Sequence, residues 1–171
     1  KEGGLLIKKI GVVGAGTMGH AIAETFAMFG YDVKLYDPDA VRLEKAVAEI
    51  RDEQQLLVEE QFITAVAAEE TLKNIVIHHS LQETVHDRDY VIEAAPENMA
   101  LKQNLFKMLD EYCPPETIFA SNTSSLSLVP MMENVSEGRK QRMMVCHWYN
   151  PGHLMPIAEL SFFGNMPATI Y

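Results

Sequence analysis

"IGVVGAGTMGHAIA", residues 10–23, decides the fold. Its first half is a short apolar run, the composition of a strand buried on both faces. Its second half continues as a helix-like segment. Between them lie Gly14-Ala15-Gly16-Thr17-Met18-Gly19. Glycines at this spacing are common by chance. A strand directly before and a helix directly after give the spacing its meaning. Gly14 then permits a tight turn, Gly16 lets the backbone approach a ligand, and Gly19 lets the helix pack closely on the strand. The helix N-terminus at Thr17 and Met18 offers unpaired N–H groups and the positive end of a dipole, which suits a pyrophosphate. The plainer alternative is a structural glycine turn with no ligand.

Outward from that turn, short apolar runs alternate with helical patterns. "KIGVVG", "DVKLYD", "NIVIHH", "DYVIEAA", "TIFASN" and "RMMVCHWY" read as strands. Residues 17–29 carry Ala21, Phe26 and Phe29 as a candidate apolar face, with Gly30 placed to stop the helix. Residues 39–60 repeat the spacing through Leu43, Val47, Ile50 and Leu57. "ENMALKQNLFKMLDEY" repeats it through Leu101, Leu105, Met108 and Leu109. "PIAELSFFGNMPATIY" reads as one more strand and a frayed end. Alternation of this kind needs crossover connections. It predicts an α/β fold of the Rossmann type: a doubly wound, mostly parallel sheet with helices on both faces, and one domain over 1–171. In such a fold the ligand lies off the carboxyl ends of the strands. The second strand ends in Asp37, whose carboxylate can accept both hydroxyl hydrogens of an adenosine ribose and would repel a 2′-phosphate. NAD is therefore expected in preference to NADP.

Composition bounds the partners. The 171 residues carry a formal net charge of −10, which argues against coating a nucleic acid. No apolar run is long enough for a membrane span. Cys113 and Cys146 form neither a disulfide framework nor a zinc motif, so no metal is expected. A reducing compartment is expected, cytoplasmic or, in a eukaryote, the mitochondrial matrix. The opening "KEGGLLIKK" reads as a trimmed terminus.

Four blocks in this order resemble the NAD-binding domain of the 3-hydroxyacyl-CoA dehydrogenase family: "IGVVGAGTMGHAIA", "VIEAAPENMALKQNLF", "FASNTSSLSL" and "HWYNPGHLMPIAEL". The resemblance implies oxidation of a 3-hydroxyacyl-CoA to the 3-oxoacyl-CoA, in fatty-acid or butanoate metabolism, with NAD as hydride acceptor. It implies that His147 is the base, that Glu159 is its partner and that Ser124 bonds the substrate oxygen. It also implies that Asn150, Glu97 and Lys102 line the nicotinamide side. Family members continue into a helical domain that completes the site and forms a homodimer, so this chain is expected to be the nucleotide half of a longer enzyme.

The chemistry favours these residue types. An alcohol loses a hydride and a proton, and imidazole, with an ordinary pKa of about 6.5, is suited to take the proton. A carboxylate on its other nitrogen fixes the tautomer and stabilises the cation. Glu159 stands in the apolar run "MPIAELSFF", where an unpaired charge would be costly, and a cationic partner is therefore expected there. For each residue a plainer role competes. His147 can be a hydrogen-bonded histidine at a strand end. Ser124 sits among hydroxyls of which Thr123 or Ser125 can cap a helix. Glu97 can be a first-turn acid, and Lys102 a solvated lysine. Cys146 beside His147 is read as core, since neighbours on a strand face opposite ways.

The pattern also departs from acyl-CoA members, which typically have two phenylalanines after the histidine. Here Trp148 and Tyr149 follow it, and Pro156 replaces a lysine. The proline resembles relatives that oxidise free 3-hydroxy acids such as gulonate or carnitine. A non-catalytic NAD-binding protein is a third reading, opposed by the presence of both His147 and Glu159.

Overall fold

The computed structural model describes residues 6–151, 154–155 and 157–171. In chain order the elements are β1 (Lys9–Val13), α1 (Thr17–Met28), β2 (Asp32–Tyr36), α2 (Ala40–Glu59), α3 (Ala65–Lys73), β3 (Ile75–His78), α4 (Leu81–Val85), β4 (Tyr90–Glu93), α5 (Met99–Tyr112), β5 (Ile118–Ser121), α6 (Leu128–Met131), α7 (Glu137–Lys140), β6 (Met143–Trp148) and β7 (Ala158–Ser161). The strands form a seven-stranded sheet in the order β3-β2-β1-β4-β5-β6-β7. Strands β1 to β6 pair in parallel, and β7 closes the far edge antiparallel to β6. This is the doubly wound fold expected. Its order reverses between β1 and β4, the switch point at which a cleft opens above the strand tips.

Strand alternation builds two cores from one sheet. Ile10, Val12, Val33, Leu35, Tyr90, Ile92, Ile118, Ala120 and Cys146 point to one face, where Ile22 of α1 and Leu43 of α2 cover them. Val13, Val91, Phe119 and Met143 point to the other, under Val85 of α4, Phe106 and Leu109 of α5 and Leu128 of α6. Each large side chain so buried contributes roughly 1.5–3 kcal/mol of transfer free energy. Cys146 is core, as its place next to His147 on the strand implied.

The expected helix faces need two corrections. Phe29 is 72% exposed, because α1 ends at Met28 and the chain turns away through Gly30 at φ +82° directly after it. On α5 the buried residues are Lys102, Phe106 and Leu109, while Leu101 is exposed. Leu101, Leu105 and Met108 lie one step round the helix and line the cleft. Periodicity detected an apolar stripe but could not tell a core face from a ligand-facing one. The four shortest helices, α3, α4, α6 and α7, were missed. The four-residue α6 and α7 are too short for a helical period to show. No described helix is long and apolar enough to cross a membrane.

Candidate active site

The glycine turn sits where β1 feeds α1. Gly14 has φ +107°, and a Cβ there would lie 2.6 Å from the Ala94 carbonyl oxygen. A Cβ on Gly19 would lie 1.8 Å from the Gly14 carbonyl oxygen, so any larger residue must push α1 off the turn. Gly19 acts through packing and does not line the cleft, whereas Gly14, Gly16, Thr17 and Met18 do. Nothing stands within 4 Å of a Cβ built on Gly16, and no side chain caps α1. The helix therefore presents its first N–H groups to open space, the arrangement that a pyrophosphate completes.

Asp37 follows β2 and is 4% exposed. Its Oδ2 accepts the Ala15 N–H at 2.9 Å and its Oδ1 accepts the Asp39 N–H at 2.9 Å. These bonds lock the carboxylate against the glycine turn, and each oxygen keeps lone-pair capacity for a ribose hydroxyl. The Arg42 guanidinium, on the first turn of α2, stands 3.8 Å from it and lines the same cleft. Sequence reasoning passed over Arg42, as it did His20. The His20 ring is buried in the first turns of α1; its Nδ1–H donates to the Gly16 carbonyl at 3.0 Å and its Nε2 meets Glu53 of α2 at 3.3 Å. It braces the glycine turn against α2. That partner is 33 residues away, so no local pattern signals it.

The cleft has a volume of about 830 Å³ and runs from Asp37, Pro38 and Arg42 past Gly16 to Asn122, Ser124, His147 and Asn150. Its middle wall is the apolar stripe of α5 with Ala94, Ala95 and Pro96 of the loop after β4. Glu97 is exposed on that loop, and its Oε2 accepts the Thr123 hydroxyl at 2.7 Å. Lys102, by contrast, is neither solvated nor on the cleft wall. It is fully buried, and its ammonium pairs with Glu93 and donates to the Ala95 carbonyl at 3.1 Å. Glu93 in turn accepts the Ala95 N–H at 2.7 Å and the Ser121 hydroxyl at 2.6 Å. Lys102 therefore supports the loop from beneath. The buried acid nine residues earlier is what draws it inward.

His147 is the second-last residue of β6, and Glu159 of β7 lies directly across the antiparallel ladder from it. Cross-strand partners share a face, with Cβ atoms about 4.5–5.5 Å apart. A gap of twelve positions in sequence thus becomes a neighbour relation. Glu159 is exposed, however, and the expectation of a buried acid forced to find a cation is not met. At this sheet edge Ala158, Glu159 and Leu160 are all exposed, so the charge stands in water despite its apolar neighbours. Its Oε2 accepts the Tyr149 hydroxyl at 3.3 Å. Thr123 makes the local turn with its Oγ1, accepting Leu126 N–H at 2.9 Å, and Ser124 is left to line the site. His147 and Ser124 border both the long cleft and a second cavity of about 390 Å³, lined also by Thr123, Ser125, Glu159 and Ser161. Pro156, on which the comparison with free-acid enzymes turns, lies outside the described residues.

Residues 9–162 match the family model described as 3-hydroxyacyl-CoA dehydrogenase, NAD binding domain. The chain is 38% identical to a probable 3-hydroxybutyryl-CoA dehydrogenase of Bacillus subtilis over 154 residues, 90% of this chain and 53% of that protein. It is 34% identical to the mitochondrial hydroxyacyl-coenzyme A dehydrogenase of Sus scrofa over 161 residues, 91% of this chain and 51% of that protein. Among solved structures, a 3-hydroxybutyryl-CoA dehydrogenase of Escherichia coli K12 superposes with a TM-score of 0.91 at 33% identity, covering 97% of this chain and 34% of that one. The chain thus spans about half the length, or less, of such relatives. With the doubly wound sheet, the uncapped glycine turn and the locked acid after β2 in place, the chain belongs to the 3-hydroxyacyl-CoA dehydrogenase family, whose NAD-binding domain it carries.

Proposed function

We propose that this chain is the nucleotide half of an NAD-dependent L-3-hydroxyacyl-CoA dehydrogenase, with His147 as the base that takes the hydroxyl proton. The observation that carries the reading is the position of His147 on the wall shared by the two cavities, with Glu159 directly opposite it on β7. Gly16 and the first N–H groups of α1 hold the pyrophosphate, and Asp37 holds the adenosine ribose. The apolar stripe of α5 excludes water along the cleft. Glu97 and Asn150 border the end nearest His147. Bound NAD supplies the hydride acceptor. His147 accepts the alcohol proton, Ser124 donates a hydrogen bond to the substrate oxygen, and Glu159 stabilises the resulting imidazolium. A helical domain beyond these residues, which would supply the other wall of the cleft and the contacts of a homodimer, belongs to the same proposal.

The second cavity bears on the substrate. Among its described lining residues there is no lysine or arginine, only hydroxyls, apolar groups, His147 and Glu159. A free carboxylate would bring an unpaired negative charge beside Glu159. A thioester carbonyl is neutral and needs only hydroxyl donors, which favours an acyl-CoA over a CoA-free 3-hydroxy acid. The test is a substrate panel on the full-length protein: 3-hydroxybutyryl-CoA, gulonate and carnitine, with NAD and NADP. Turnover is expected with the thioester and NAD. His147→Gln is expected to lower kcat at least a hundredfold while NAD affinity stays within about threefold, as for loss of a general base. Undiminished turnover in that variant refutes the assignment, and faster oxidation of a free acid transfers the enzyme to the second class.

A further inference from the structure

Beyond Trp148 the β6–β7 ladder continues, with the Tyr149 N–H donating to the Ile157 carbonyl at 3.3 Å. Alternation then puts His147 and Tyr149 on one face and Trp148 on the other. Trp148 packs against Phe26 with ring centroids 5.5 Å apart, on the core side. Tyr149 therefore shares the face of His147 and Glu159. Its ring lies 4.9 Å from the imidazole, tilted by 59°, and its hydroxyl donates to Glu159 Oε2 at 3.3 Å. Glu159 is exposed, and Tyr149 is itself 41% exposed at the mouth of the cleft. An exposed carboxylate opposite an imidazole is free to rotate into water, where the pair is worth little. A diagonal cross-strand neighbour that bonds one carboxylate oxygen and packs on the imidazole removes that freedom.

We infer that Tyr149 is a positioning residue: its hydroxyl holds the Glu159 carboxylate in line with His147 while its ring shields the imidazole edge. The inference rests on the reading of His147 as the base. Phenylalanine at this place would keep the ring and lose the tether, so the hydroxyl is a feature of this chain's own "HWYNP" segment. The other charged groups lining the two cavities, Asp37, Arg42 and Glu97, belong to the long cleft and do not line the second cavity where Glu159 stands.

A double-mutant cycle on the full-length enzyme tests it. Tyr149→Phe alone is expected to lower kcat about fivefold, the value of one modest hydrogen bond, with the Kd of NAD within twofold. Combined with Glu159→Gln it is expected to add nothing, because the group it positions is already altered. The acidic limb of the kcat/KM pH profile should move in the same direction in both single variants and move no further in the double variant. Additive losses, or a Tyr149→Phe variant with unchanged kcat and profile, overturn the inference. His147→Gln separates the two readings: if it abolishes turnover while the cycle is additive, only the role of Tyr149 falls. If it spares turnover, the base and its positioning fall together.

Discussion

Glu24 lies on α1 with no exposed surface, facing α2. Gln54 Nε2 donates to its Oε1 at 2.6 Å, and its other hydrogen-bond partner is the Glu53 carboxyl. Burial, with the neighbouring Glu53 carboxyl adding to it, pushes the Glu24 carboxyl from 4.5 up to about 8. Near neutral pH the folded protein therefore holds a proton here that the unfolded chain does not. Because the native state binds more protons between those two values, stability is greatest at the acid end and falls as pH rises. At about 1.36 kcal/mol per pH unit for one proton, the loss between pH 5 and 8 is at most about 4 kcal/mol. The Glu24→Gln substitution keeps an oxygen to accept from Gln54 and gains an amide that donates to Glu53, with no charge to bury. In urea denaturation followed by the fluorescence of Trp148, the one tryptophan, the variant should match the wild type near pH 5. It should exceed it by about 2–3 kcal/mol at pH 8. In a domain of this size that is a Tm difference of roughly 4–12 °C. Parallel stability curves for the two proteins across pH 5–8 would refute the assignment of a shared proton to this pair.

Two further contrasts probe the site's supports. Lys102→Met leaves Glu93 charged and buried without its cation, and is expected to cost about 3–5 kcal/mol by thermal unfolding. Adding Glu93→Gln should recover much of the loss, and a double variant as unstable as the single one would exclude the uncompensated charge as the cause. At the glycine turn, Gly19→Ala is expected to lower Tm and weaken NAD together, since its methyl meets the Gly14 carbonyl. Gly16→Ala has free space for its methyl, so it should leave Tm within about 2 °C and weaken NAD about tenfold or more in calorimetric titration. Equal effects of the two substitutions on stability would contradict the division of roles.

Local patterns carried the layout of the sheet. Parallel strands buried on both faces must be nearly continuous apolar runs, and long crossover helices show their period, so β1 to β6 and the helices α1, α2 and α5 were readable from residue order alone. The glycine turn and the acid that locks onto it were readable for the same reason, because both lie within one βαβ unit. What depended on distant chain was not. Lys102 read as a cofactor-lining residue or a solvated one until the fold brought Glu93 beneath it, and Leu101, Leu105 and Met108 read as core until the switch point opened a cleft there. Glu159 read as buried because its neighbours are apolar, yet both faces of the edge strand β7 are exposed there, and Leu160 beside it is exposed too. Sequence determines which side chains exist and how they alternate along each element. Only the tertiary structure decides which element stands opposite. Burial, pairing and proton affinity all depend on that opposite partner, which is why His147, Glu159 and Tyr149 become one constellation only across the β6–β7 ladder.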